Sequence, residues 1–183
     1  MNGFLLLLPF FIIRFPLMSA LSGRAIRRAA HFAPMQGTGK AAYFVYQASN
    51  IGIFLYLAFL SVKVDFSWKF YAGSAFYLCG LILCAAAVAA FSRPDSTGMN
   101  TNGVYRISRN PMYVAYFICF IGMALLTQSL ALLGIVLVFQ VSAHWIILAE
   151  ETWCIAEFGI AYRAYMGRVR RCIQAASDRM YEM

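Results

Sequence analysis

The chain has 183 residues, 62% of them hydrophobic and only 12% charged, with a formal net charge of +8. That composition excludes an ordinary soluble domain, and the length excludes an array of several domains. Continuous apolar runs, rather than alternating strands of about ten residues, point to bilayer-spanning helices whose backbones satisfy their own hydrogen bonds.

A bilayer core of roughly 30 Å needs about 20 residues of helix. Five stretches are expected to span it: 4–21, 41–62, 71–91, the shorter 112–126, and 130–149. The first lacks a basic leader and carries Arg14 inside its apolar core, so it reads as a retained membrane segment rather than a signal peptide. An arginine at mid-bilayer costs about 2.5–3.5 kcal/mol on insertion scales, and Pro16 adds a kink; tilt, or a polar cavity facing Arg14, would relieve the cost. Between the first two stretches lies "RAIRRAAHFAPMQGTGK", 24 to 40, a basic loop that can form part of an interfacial helix. The segment "SRPDSTGMNTNG", 92 to 103, is the main loop signal.

The fourth stretch is entered through "RISRNPMYVAYF", 106 to 117, where Asn110 can cap the helix and Pro111 suits its first turn. It turns at "TQS", 127 to 129, and the fifth stretch returns to "LAEETWCIAEFG", 148 to 159, ending at Glu150 and Glu151. Two helices joined by a tight turn are antiparallel neighbours, so Arg109 and the glutamate pair should arrive at one depth and form one polar site. On the returning helix His144, Leu148 and Glu151 share a face, with Gln140 one turn earlier, and that face is expected to line a cavity or to bond a neighbouring helix. Beyond it, "FGIAYRAYMGRVRR" places Tyr162 and Tyr165 three apart before a basic cluster, a pattern that an interfacial belt also explains.

The charges test this topology. Arg24, Arg27, Arg28 and Lys40, then Arg93, Arg106 and Arg109, then Arg163, Arg168, Arg170, Arg171 and Arg179 all fall on one side, with only Lys63 and Lys69 on the other. The positive-inside rule puts the C-terminus and the polar site in the cytoplasm and the N-terminus opposite. Basic rims at anionic lipid account for the net charge without nucleic acid. Cys79, Cys84 and Cys119 lie in apolar runs, with Cys154 and Cys172 near the basic end; they read as reduced, packed thiols, and no Cys/His spacing suggests a metal.

"NGVYRISRNPMYVA", an apolar hairpin and "EETWCIAEFGIAYRAYMGRVRR" together resemble the isoprenylcysteine carboxyl methyltransferase and phospholipid methyltransferase superfamily. The resemblance covers about residues 103–171, with Asn110 where many members have His and Ala115 where many have Gly. It implies an all-α, polytopic integral membrane enzyme of about five spans with a C-terminal helical hairpin and a cytoplasmic cofactor-binding tail. Residues 1–183 would form a single membrane domain, with N-terminal spans and basic loop over 1–92 and the methyltransferase core over 93–183. The implied cofactor is S-adenosylmethionine (SAM), and the implied partners are membrane lipid and a hydrophobic or lipid-linked methyl acceptor. Arg109 can pair bidentately with the SAM carboxylate, and the free N–H groups of the fourth span beside Asn110 and Pro111 suit an anion. Glu150 or Glu151 can accept from the ammonium or ribose, while Tyr105, Tyr113 and Tyr162 can wall the cofactor. His144, Glu150 and Glu151 are the candidates for moving an acceptor proton. Two rival readings are a nicotinamide-dependent membrane reductase of the steroid-reductase type and a non-catalytic assembly or carrier component.

Overall fold

The computed structural model describes residues 1–23, 25 and 38–171. Most of the 24–40 loop, with Arg24, Arg27 and Arg28, lies outside them, as do Cys172 and Arg179. The described chain is helical and without a strand: α1 (Gly3–Leu21), α2 (Thr38–Phe59), α3 (Trp68–Phe91), α4 (Pro111–Thr127), α5 (Leu130–Phe158) and α6 (Ile160–Arg168). α1, α2, α3 and α5 are each long and apolar enough to cross a bilayer, and α4 is a shorter apolar helix. At 1.5 Å per residue α4 reaches about 25 Å, close to the thickness of the hydrocarbon. The protein is an all-α polytopic membrane protein.

Helix ends are fixed by local chemistry. Ser67 and Ser129 cap α3 and α5, accepting from Phe70 N and Leu132 N. Gln128 takes a left-handed conformation (φ 52°) to end α4, so α4 turns back into α5 over two residues. The sequence places the end of α5 at Glu150 and Glu151, but the helix runs on to Phe158, about two turns further. Its stop is Gly159, at φ 55°, the first residue after Glu151 free of the Cβ penalty. The glutamates are therefore interior to the helix, with backbone groups already paired. In α1 the expected kink at Pro16 is instead a π-helical turn, Ile13–Leu17. Pro16 has no N–H to give the preceding turn, and a wider turn accommodates its ring.

One end of the bundle is sewn together by backbone bonds. Gly3 N donates to Leu60 O (2.7 Å), Val62 N to Met1 O (2.8 Å), and Lys63 N to Leu126 O (2.9 Å). The start of α1 and the ends of α2 and α4 thus share a level, and Lys63 with them. Tyr77 on α3 donates to Leu6 O at 2.7 Å, fixing α1 against α3. Arg109 and the other end of the α4–α5 hairpin lie at the opposite level.

α4 packs chiefly on α3, and α5 on α2. The α3–α4 contact is close because small residues line it: a Cβ added at Gly80 would stand 2.5 Å from Cys119 N, and one at Gly122 would stand 2.4 Å from Tyr77 N. Backbones touching in this way let dispersion act over the whole seam where the surrounding lipid is as apolar as the helices. Phe10 of α1 meets Tyr116 and Phe120 of α4 at 5.2 and 5.4 Å between centroids, and Phe120 meets Phe139 of α5 at 5.3 Å. This aromatic column is the centre of the core.

Gly80→Ala or Gly122→Ala should therefore force α3 and α4 apart and cost about 1–3 kcal/mol, as overpacking does. Thermal melts in detergent should show a lowered Tm for both, whereas Gly134→Ala, inside α5 with nothing within 4 Å of its added carbon, should melt no lower than the parent.

Candidate functional site

The site begins where the loop enters α4. Pro111 occupies the first helical position, and the Asn110 carbonyl accepts from Val114 N at 3.4 Å. The Asn110 side chain does not cap the helix, as the sequence suggested. Its amide turns instead to Glu151 Oε1 (3.4 Å) and Arg171 O (3.2 Å), adding a donor to each of two acceptors in the polar cluster.

Glu151 is the hub of the polar cluster. Its Oε1 accepts from Arg109 Nε at 3.0 Å and its Oε2 from Arg171 Nε at 2.7 Å. The Arg109 and Glu151 side chains are only 6% and 4% exposed. Arg109 Nη1 donates to Met166 O (3.0 Å) and Val169 O (3.1 Å), and its backbone N to Arg170 O (2.9 Å). Ser108 Oγ reaches Arg171 O at 3.2 Å. Residues 166–171 are thus strapped across the start of α4, with one carboxylate clamped between two guanidiniums. Buried charges of this kind require both pairing and full hydrogen bonding. The expected bidentate edge of Arg109 is accordingly divided between Glu151 and the carbonyls of the strap.

Glu150 has a different environment. It is about 100° further round the helix from Glu151 and lies on the face of Phe139, Ala143 and Ile146. The Tyr113 hydroxyl donates to its Oε1 at 2.8 Å. The Tyr113 ring stands 6.2 Å from that of Tyr46 and 6.5 Å from that of Tyr116. Among the described residues the adjacent acids therefore separate into a clamped carboxylate and one held by a single phenol, in a group of three tyrosines.

The remaining candidates distribute unevenly. Tyr105 is buried in the Gly103–Arg106 turn, where its carbonyl accepts from Tyr165 at 2.6 Å. Tyr162 is buried on α6, 5.8 Å from the Tyr165 ring. Burial pushes the Tyr162 phenol well up and Tyr165 up to about 12, so both remain O–H donors. His144 is exposed, with its ring edge-on to Trp145 at 5.6 Å, and is not brought to either glutamate. The Gln140–His144–Glu151 face is accordingly not one environment, since α6 and the strap cover only the last turns of α5. Gln140 Oε1 is buried with no partner among the described residues.

Arg171 and Ser108 belong to the cluster, and neither stands out in the sequence. Arg171 is indistinguishable there from a basic membrane rim, and only the α5–α6 break at Gly159 returns it to Glu151. The loop feeding the site is organised by Asp95, which accepts from Thr97 N (2.9 Å), Met99 N (3.1 Å) and Thr101 Oγ1 (3.1 Å), besides the Thr97 hydroxyl. The Thr97 hydroxyl, foremost, with these other donors holds the Asp95 carboxyl below its ordinary 3.8. Just beyond, Asn102 Oδ1 is a buried acceptor with no partner among the described residues.

The profile of the phospholipid methyltransferase family matches residues 68–160, from the start of α3 to the start of α6. The chain belongs to the phospholipid methyltransferase family. The match holds Arg109, Glu150 and Glu151 and leaves out α1, α2 and the strap. No curated protein and no solved structure matches the chain. Membership points to methyl transfer at a membrane, and to lipid as the environment or material of the reaction.

Removing one member of a buried ion pair typically costs about 3–5 kcal/mol. Glu151→Ala should approach that loss and free the strap, read as faster tryptic cleavage at Arg168, Arg170 and Arg171. Glu150→Ala should leave those cuts at the parent rate. Because the Asp95 pKa is depressed on folding, its stabilisation is present above the ordinary carboxylate range and is lost as pH falls through the folded value. Amide protection at Thr97 and Met99, taken relative to the intrinsic exchange rate at each pH, should fall in that acidic window and hold at neutral pH.

Proposed function

We propose that the protein is a SAM-dependent methyltransferase whose acceptor is a lipidic or hydrophobic small molecule. The observation that carries the reading is Glu150: a carboxylate on a membrane helix, held by one tyrosine hydroxyl, beside a strapped ion cluster within the family-matched region. Carboxylates are expensive inside apolar surroundings, and one held by a single hydroxyl among the described residues suits a cationic ligand.

The donor set suits SAM. Glu150 can accept from the ammonium, and the half-buried Arg171 can donate to the carboxylate, as can Asn110 by giving up its long 3.4 Å bond to Glu151. Asn102 Oδ1, lacking a donor of its own, can accept from the adenine amine or a ribose hydroxyl. Tyr105, Tyr113 and Tyr162 offer aromatic faces. Bound SAM supplies a methyl group on a sulfonium, open to in-line attack by oxygen, nitrogen or sulfur with the thioether leaving. The chain's own contribution is orientation. Arg109 and Glu151 act as positioning residues that hold residues 166–171 over the start of α4. Pro111 fixes the first turn of α4 and so the height of Tyr113. For an amine or thiol acceptor, Glu150 is the group placed to take a proton, with Tyr113 holding the carboxylate in register.

In this reading residues 93–183 are the cofactor-binding core, and the spans before them shape the acceptor's approach. The clasp end of the bundle, which carries the strap and the Arg109–Glu151 pair, is cytoplasmic, following the basic residues that gather there, with Lys63 and Lys69 at the other face. SAM enters from water and the acceptor enters laterally from the bilayer.

Calorimetry on detergent-purified protein should give heat with SAM and none with NADPH. Glu150→Gln and Tyr113→Phe should each weaken SAM binding by about tenfold, the 1.4 kcal/mol of one charged hydrogen bond, with unchanged melting. Parent affinity in both variants would remove Glu150 from the site. Labelled-methyl transfer into a lipid extract, with mass identification of the product, would name the acceptor.

A further inference from the structure

Arg14, the arginine within the first apolar stretch, is not absorbed by the methyl-transfer site. Arg14 lies on the π-helical turn of α1, outside the family-matched residues, about 10 Å of helix from Leu21. Its described contacts are soft: Nη1 to the Met18 thioether at 3.2 Å, and the faces of Tyr116 and Phe15 at 5.9 and 6.0 Å from their centroids. Among the described residues no carboxylate lies within ion-pair distance of it. A guanidinium carries five donors, and a thioether and two rings leave most of that capacity without a strong acceptor. The side chain is half-buried, so it is not sealed in the core.

Its neighbours give the unused charge a direction. Tyr116, beneath the guanidinium, is one turn of α4 from Tyr113, which holds Glu150. Tyr46 on α2 brings its ring to 6.2 Å from that of Tyr113. Four helices therefore bring a cation, a carboxylate and three phenols to one level, roughly a turn and a half inside the clasp end. Wide π-helical turns recur at functional sites because they turn a side chain out of the regular register.

We propose that Arg14 binds the oxyanion head of an amphiphile, a lipid phosphate or a long-chain carboxylate, and so holds the acceptor beside Glu150. Calling the ligand an acceptor rests on the methyl-transfer reading; its binding does not. A guanidinium in low dielectric strongly prefers a delocalised oxyanion that it can bond bidentately, and the apolar faces of α1 and α4 favour an attached tail.

The test is native mass spectrometry of the full-length protein in detergent, titrated with dihexanoyl phosphatidic acid, decanoate, dihexanoylglycerol or methyl decanoate. The parent should bind at least one anionic amphiphile about tenfold more tightly than its neutral counterpart, and the stronger of the two anions identifies the head group. Arg14→Gln should abolish the preference, Arg14→Lys should keep part of it, and SAM heat should be unchanged in both. Equal binding of charged and neutral ligands by the parent would overturn the proposal even if the variants fail to fold. So would a preference that survives in folded Arg14→Gln, or displacement of the amphiphile by inorganic phosphate alone at the same concentration. Absence of SAM heat in the parent would count against the methyl-transfer reading and leave the anion preference to stand or fall separately.

Discussion

A carboxylate clamped between two guanidiniums, deep in a mostly apolar protein, is the feature around which this structure is organised. Glu151 bridges Arg109 and Arg171, and both distances, 3.0 and 2.7 Å, are those of charge-assisted hydrogen bonds. Arg109 in turn satisfies two carbonyls of the strap, so the ion pair is also the point where the chain after α6 is tied to the start of α4. Without it, buried charges would remain unpaired and residues 166–171 would lose their principal anchor. The cluster thus has an architectural role that a pair of well-packed apolar residues could not fill, because it also satisfies backbone acceptors.

That division of labour leaves the neighbouring acid available. Glu150 differs from Glu151 by one residue, yet the turn of the helix aims it at Tyr113 and the aromatic column rather than at the arginines. A short sequence motif therefore yields two carboxylates in separate surroundings, one holding the frame and one that, in the proposed reading, meets the ligand. The tight α3–α4 seam matters for the same reason: Gly80 and Gly122 let α4 sit against α3, which sets where Tyr113 and Tyr116 stand. At the far end the backbone bonds among Met1, Val62, Lys63 and Leu126 fix the relative heights of α1, α2 and α4, and so the level at which Arg14 meets Tyr116.

Much of this was legible from residues alone, where one physical signal dominated. Hydrophobic length located the five membrane stretches to within a few residues, except at the end of α5. Two antiparallel rods joined by a tight turn were enough to bring Arg109 and Glu151 into contact. What stayed hidden required knowing which of several satisfied arrangements wins. Asn110 is a good helix cap by type, but buried acceptors claimed its amide. Two acids after an apolar run looked like a helix end, whereas the true stop is Gly159. Arg171 looked like every other arginine in a basic tail, because its partner is brought to it only by the α5–α6 break. His144 shares a helical face with Glu151, but the cover over that face is not continuous. The glycine seam carried a readable pattern, Gly73 and Gly80 seven residues apart with Ala87 after them, whose meaning depends on Gly122 facing it.

If Arg109 and Glu151 hold each other while Glu150 meets the ligand, an electron cryomicroscopy structure with SAM bound will show both at once. Arg109 Nε is expected to stay near 3 Å from Glu151 Oε1, as it is now, with the cofactor's ammonium on Glu150. A cofactor carboxylate seated on Arg109 in place of Glu151, with Glu150 untouched, would contradict that division of roles.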